Sequence, residues 1–196
     1  MISCILLSAG FNSRFGSPKA LAKLKGLTVI ERVQKQLLKA PLDEIVIVLG
    51  AYAKEIEPFL LKHTMIKFVH NKDYKFGQTS SFKIGLQNVS SDAQGVLLMP
   101  VDYPFIQGET LEGLIHFFQD REPLILIPTF KERKGHPPIF HRKLTAEFNT
   151  LDNASGVNSI THHHQNDTVL FSVEDRGVVA SFNTKEEFEE LKKEFC

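Results

Sequence analysis

Cysteine is scarce. Cys4, inside an apolar run, and Cys196, the last residue, are the only two among 196 residues. Such a pair does not suggest a structural disulfide, and two free thiols point to a reducing, cytoplasmic setting. Net charge is lacking too, with 23 Lys plus Arg against 23 Asp plus Glu. A chain without basic excess is not built to coat nucleic acid, so any bound anion must be met by a local patch. The longest apolar runs, such as Pro123–Pro128 and Ile45–Gly50, fall far short of the ~18 residues that span a bilayer. No basic leader with a small-residue cleavage site is evident, so neither export nor membrane association is expected. The sixteen phenylalanines are not interleaved with basic residues as on an RNA surface, and they read as core. No repeat, low-complexity tract or linker interrupts the sequence. A single domain over residues 1–196 is the simplest organisation at this length.

What the sequence does contain is a βαβα rhythm. Strands are expected at Ile2–Leu7, Glu44–Leu49, Ile66–His70, Gly95–Met99 and Leu124–Pro128. Helical spacing occupies Val29–Lys39, where Ile30, Val33, Leu37 and Leu38 share a face, and also Ala53–Lys62, Ser80–Asn88 and Thr110–Gln119. This alternation predicts an α/β fold, a mostly parallel sheet with helices on both faces and right-handed crossovers. After Pro128 the rhythm loosens. A charged turn over Thr129–Gly135 leads to a short strand at Pro138–Phe140 and helices at Leu144–Leu151 and Ser155–His164. Strands at Val169–Val173 and Val178–Phe182 follow, then a charged helix over Thr184–Phe195 whose Thr184 and Glu187 fit a capping box.

The first strand runs into SAGFNSRFGSPKAL, residues Ser8–Leu21. Small residues at a strand's carboxyl end let backbone N–H groups approach phosphate oxygens, and the first strand-to-helix loop is a favoured phosphate site. Arg14 and Lys19 add the positive charge a polyphosphate needs. A Walker loop is excluded, because five residues separate Gly10 from Gly16 and alanine follows Lys19; the dinucleotide fingerprint G-x-G-x-x-G is absent. Asp102, in PVDYP after the strand Gly95–Met99, sits at another strand's carboxyl end between two prolines that keep its backbone extended. It is suited either to hold a hard cation against a triphosphate or to cap the following helix.

Leu7, Ala9, Gly10, Arg14, Gly16, Pro18 and Lys19 fit L-x-A-G-x-x-x-R-x-G-x-P-K. This resembles the signature loop of nucleotidyltransferases with the nucleotide-diphospho-sugar transferase fold, and within them the molybdenum cofactor cytidylyltransferase and guanylyltransferase group. Four more stretches resemble that group's segments in the right order: FGQTSSFKIGL (Phe76–Leu86), LLMPVDYPFI (Leu97–Ile106), PTFKERKGHPPIF (Pro128–Phe140) and SFNTKEEFEEL (Ser181–Leu191). The resemblance implies a three-layer α/β/α, Rossmann-like, mostly parallel sheet. It also implies Mg2+-dependent transfer (Mn2+ as the substitute) of a nucleoside monophosphate from an NTP to a phosphorylated, molybdopterin-like acceptor, with release of pyrophosphate. Ala9 stands where the guanylyltransferases usually carry glycine, which favours CTP over GTP.

Carried over residue by residue, the resemblance makes Lys19, Arg14 and Asp102 the catalytic set. Leu7, Ser8, Ala9, Gly10, Gln78, Ser80 and Ser81 would contact the nucleotide, and Asp102 with Asn183 would hold the metal. Asn183 could instead be a polar neighbour of the terminal helix's cap, and Ser80 or Ser81 could be helix caps. His136 would bond an acceptor phosphate or pterin, or else satisfy a backbone carbonyl. Two segments depart from the pattern: Ser181 and Asn183 stand where many cytidylyltransferase-like members carry aspartates, and Asp152–Asn158 lacks their arginine. These departures keep open a sugar phosphate or other small-molecule acceptor, and a non-catalytic regulator or chaperone. The cofactor role implies a molybdoenzyme or chaperone as partner, with the chain a monomer or weak dimer. On this reading Asp102→Ala and Lys19→Ala lose activity and keep normal thermal stability. His162, His163 and His164 splay about 100° apart on a helix, so they cannot converge on one ion unless the helix breaks, and they read as a solvated end.

Overall fold

Seven residues from Ile2 to Ser8 are all buried, as a strand with sheet neighbours on both sides and helices on both faces must be. A computed structural model of the chain describes residues 1–153 and 155–196; Ala154, within the acceptor-side segment Asp152–Asn158, lies outside the described residues. In chain order the elements are β1 (Ile2–Ser8), a small hairpin of β2 (Lys23–Leu24) and β3 (Leu27–Thr28), α1 (Val29–Leu37), β4 (Glu44–Leu49), α2 (Ala53–Ile56), β5 (Ile66–His70), α3 (Gln78–Leu86) and β6 (Gly95–Pro100). There follow α4 (Gly108–Arg121), β7 (Ile125–Phe130), β8 (Arg133–Lys134), β9 (Ile139–His141), α5 (Thr145–Thr150), α6 (Asn158–His163), β10 (Thr168–Ser172) and α7 (Lys185–Phe195).

The main sheet runs β10-β7-β9-β6-β1-β4-β5, with β8 paired to β7. Its pairs are parallel except where β8 and β9 join, so the fold is the mostly parallel α/β arrangement expected. Side chains alternate between two cores. Ile2, Cys4 and Leu6 of β1 pack with Ile30 and Val33 of α1, Leu114 and Phe118 of α4, and Phe188 of α7. Ile5 and Leu7 pack with Phe82 of α3, Phe148 of α5 and Ile160 of α6. Burial pushes the Cys4 thiol up, so it stays protonated and inert.

β1 lies between β4 and β6, with Leu7 opposite Val48 on one side and Pro100 on the other. From β1 the winding goes out to β4 and β5 and then returns to β6 on the opposite side. Such a reversal leaves a crevice at the carboxyl ends of the two strands that flank it. The loops after β1 and β6 carry Ala9–Lys19 and Asp102.

Four local expectations are corrected. The helix from Ala53 ends at Ile56, where Pro58 enters a 3-10 turn over Glu57–Phe59 because proline cannot donate to a continuing helix. The helix expected from Ser155 begins at Asn158. The charged turn after Pro128 is a hairpin: β7 runs on to Phe130 and pairs with β8, with Lys131 and Glu132 at positive φ between them. Val178–Phe182 is no strand. Arg176–Val179 is a 3-10 turn, nucleated by the Asp175 carboxylate, which accepts from the Gly177 N–H at 2.8 Å. Val178, Ala180 and Phe182 are buried as the apolar pattern demands, but by packing and not by a ladder.

Asp175 also accepts from the Gln107 N–H at 2.7 Å and the Thr110 hydroxyl at 2.9 Å, capping α4 from a distant segment. This buried carboxylate ties the C-terminal crossing down and so sets the position of Phe182 and Asn183. Asp175→Ala would strand three donors and is expected to cost about 2–4 kcal/mol. Urea unfolding of the variant measures this, and a loss within the error of the parent would refute the anchoring role.

Candidate active site

β1 ends at Ser8 and the chain opens into the loop. Asn12, at φ 51°, turns it back, its carbonyl accepting from the Phe15 and Gly16 N–H groups at 3.0 Å. Phe15 is buried against Phe182 (ring centroids 5.4 Å) and Phe188 (6.1 Å), so an aromatic cluster joins the loop to α7. Pro18 then starts the 3-10 turn that points Lys19 inward. Gly10 needs no glycine backbone of its own: its φ is ordinary, and a Cβ would meet only the Asn12 carboxamide oxygen at 3.8 Å. Its bareness leaves open space.

The Lys19 side chain is only 9% exposed, and its ammonium bridges two oxygens, Asp102 Oδ2 at 2.9 Å and Asn183 Oδ1 at 3.1 Å. The Phe182 ring lies 5.4 Å from it. Arg14 donates to the same Asn183 oxygen at 3.1 Å. Thus the cationic and oxygen-bearing residues picked from three distant segments meet at one point. Asn183 is held there by the α7 capping box, where Thr184 accepts from the Glu187 N–H at 3.1 Å and the Glu187 carboxylate accepts from the Asn183 N–H. The donor set suits a hard divalent ion: a carboxylate and a neutral carbonyl oxygen already converge on a cation, the ammonium standing in for it.

A cleft of about 200 Å³ opens beside this pair. Leu7, Ser8, Ala9, Gly10, Lys19, Gln78, Ser81 and Asp102 line it, as does Tyr74, which no sequence motif marked. Arg14 and Asn183 border an adjoining recess with Phe11 and Asn12. Gly77, at φ 94° and ψ −168°, starts α3 in a conformation that only glycine adopts without strain. Ser80 lies behind the wall and not on it: its hydroxyl bonds the Asp73 and Gly77 carbonyls and accepts from Asn71 Nδ2 at 3.0 Å. Asn71, fully buried, donates to Ser81 as well and so fixes the start of α3.

A second cleft, about 240 Å³, shares Gln78 with the first and is lined by Tyr103, Lys134, His136, Asn158, Thr161 and His162 among others. Gly135 serves here by close approach and not by turn geometry, since a Cβ would lie 2.4 Å from the Val178 carbonyl oxygen. The His136 N–H donates to that same carbonyl at 2.8 Å. The ring packs near Tyr103, tilted by 45° with centroids 4.5 Å apart, and its Nδ1 is buried with no partner among the described residues. Burial pushes the Tyr103 phenol up, and Asp102's charge adds to this, so it remains protonated.

Burial lowers the His136 pKa more than Asp102 raises it. The unfolded chain then takes up the proton first as pH falls. Stability from this residue is intact above its ordinary 6.5 and drains away below it. An NMR titration of the ring should give a midpoint under 6.5; a midpoint at or above that value would contradict the neutral assignment.

Comparison with known proteins places residues 4–169 in a match to the family model of the MobA-like NTP transferase domain. A probable UDP-N-acetylglucosamine pyrophosphorylase of Acanthamoeba polyphaga mimivirus is 30% identical over 62% of this chain and 49% of its own length. A probable molybdenum cofactor guanylyltransferase of Geobacillus sp. (strain WCH70) is 25% identical over 95% of this chain and 96% of its own. The first relatives matched are spanned only to between 49% and 64% of their lengths. Among solved structures, Rv0371c from Mycobacterium tuberculosis H37Rv superposes with a TM-score of 0.85 at 25% identity, covering 98% of this chain and 97% of that one. A manganese complex of Rv0371C gives 0.82 at 24% identity. Among the described residues no helix is long and apolar enough to cross a membrane.

Proposed function

The chain belongs to the MobA-like NTP transferase domain family, and from that premise we propose that it transfers a nucleoside monophosphate from an NTP to a phosphorylated acceptor of the molybdopterin class. The observation that carries this reading is the three-way meeting of Lys19, Asp102 and Asn183 at the sheet's switch point. Arg14 and Lys19 make the cationic wall that receives the triphosphate and steadies departing pyrophosphate. The Asp102 carboxylate and Asn183 carboxamide oxygen would hold a magnesium or manganese ion, which supplies charge neutralisation on the phosphates when bound. The manganese complex of the M. tuberculosis relative supports such an ion. An acceptor phosphate in the second cleft attacks the α-phosphorus in line. It is already ionised at neutral pH, so positioning and electrostatics suffice without a strong base.

His136, beside Tyr103 in the second cleft, would face the acceptor's ring system, and Lys134 would meet its phosphate. Ala9 favours CTP, and the guanylyltransferase names of the bacillar relatives favour GTP as the second reading. Pyrophosphate release with each of CTP, GTP, ATP and UTP, alone, with molybdopterin or with a sugar phosphate, tests both. Acceptor-dependent release with CTP or GTP is the expected result. Release only with sugar phosphates, or none with any pair, would sink the proposal.

A further inference from the structure

α6 does break, and it breaks at a histidine. It ends at His163, and His164 leaves helical geometry at φ −101° and ψ 34°. The two neighbouring rings stack there, centroids 4.9 Å apart at 25°. Both then turn toward one carboxylate on α5. His164 Nε2 lies 2.7 Å from Glu147 Oε2, and His163 Nδ1 lies 3.8 Å from Glu147 Oε1. One imidazole would satisfy Glu147, yet the second, 75% exposed, is aimed at the same group.

From this arrangement we infer that Glu147, His163 and His164 form a binding site for a zinc-class divalent cation. The three ligand atoms lie within 4.8 Å of one another. Tetrahedral coordination at about 2.0–2.2 Å asks for ligand atoms roughly 3.3 Å apart, a modest side-chain adjustment. Two imidazoles and a carboxylate suit borderline cations such as zinc, and leave a fourth position for water. Asp167 Oδ2 stands 3.9 Å from His164 Nδ1, the far nitrogen, where an orienting carboxylate is commonly found behind a ligating histidine. Partial exposure of all three side chains provides the entry path. None of the three lines either cleft, so the site stands independently of the nucleotidyltransferase reading. An ion there would pin α5 to α6, whose Asn158, Thr161 and His162 form a wall of the second cleft.

The test uses the tag-free full chain in millimolar magnesium, which prefers oxygen ligands and competes for any site in the Asp102 region. Titration with Co2+ is expected to bind one equivalent and give visible absorption of tetrahedral character, without the near-ultraviolet sulfur band that Cys196 would add. Zn2+ should displace it and raise the Tm. His163→Ala and His164→Ala should each weaken binding by more than about 10-fold, and Asp167→Asn by about 10-fold. His162→Ala should leave it unchanged. His163 is mostly exposed, so its variant folds and keeps the test valid even if His164→Ala does not. Binding weaker than about 1 mM by calorimetry, or binding that survives His163→Ala or falls equally in His162→Ala, would overturn the site.

Discussion

Asp102→Ala is expected to lower kcat/KM by about 10³-fold, because it removes the carboxylate proposed to hold a cation against the triphosphate. The structure revises the expectation that such a variant keeps normal stability. Lys19 is buried, and without Asp102 its ammonium retains, among the described residues, the Asn183 oxygen and the Phe182 ring. A loss of about 1–3 kcal/mol should accompany the loss of rate. Asp102→Asn separates the two effects. It keeps an oxygen for the lysine, so stability should fall by under about 1 kcal/mol while activity stays low. If Asp102→Ala turned over within tenfold of the parent, the carboxylate would have no catalytic role.

Lys19→Met carries the second large effect, a fall of about 10²–10³ in kcat with the NTP saturating. The methionine fills the volume but cannot stabilise charge on the departing pyrophosphate. Because the ammonium bridges both proposed ligand oxygens, removing it should also free them. Manganese affinity of the nucleotide-free protein is then expected to rise, by about 10-fold for roughly 1.4 kcal/mol of relieved competition. Electron paramagnetic resonance of added Mn2+ reads this directly. Unchanged or weaker manganese binding would mean that the lysine does not contest the metal's place.

These expectations rest on residues that local sequence already singled out. Leu7, Ala9, Gly10 and Lys19 declared themselves as a small, cationic loop after a buried strand, and Asp102 as a rigid acidic loop after another. The structure sets both on neighbouring strands, β1 and β6. Thr184 and Glu187 predicted their capping box from spacing alone, and it is there. Apolar periodicity was less able to separate a strand from a packed irregular segment. Val178, Ala180 and Phe182 have a strand's alternation, but the Asp175 carboxylate and the close approach of Gly177 to the Phe105 carbonyl bend the chain into a 3-10 turn. Tyr74 and Asn71 carried no motif, because one acts by lining a cleft and the other by bonding two serines on a different element.

What the order of residues determined by itself is everything that acts within a few positions: the strands and helices, their caps, the bare loop and the types of charge beside it. Those follow from backbone conformation and side-chain chemistry over one or two turns. What only the tertiary structure decided is which distant groups share a point in space. Lys19 meets Asp102 and Asn183, and His163 and His164 meet Glu147. Electrostatic interaction and coordination fall off over a few ångströms, so these pairings exist only once the sheet has reversed its winding and the end of α6 has come against Glu147 of α5.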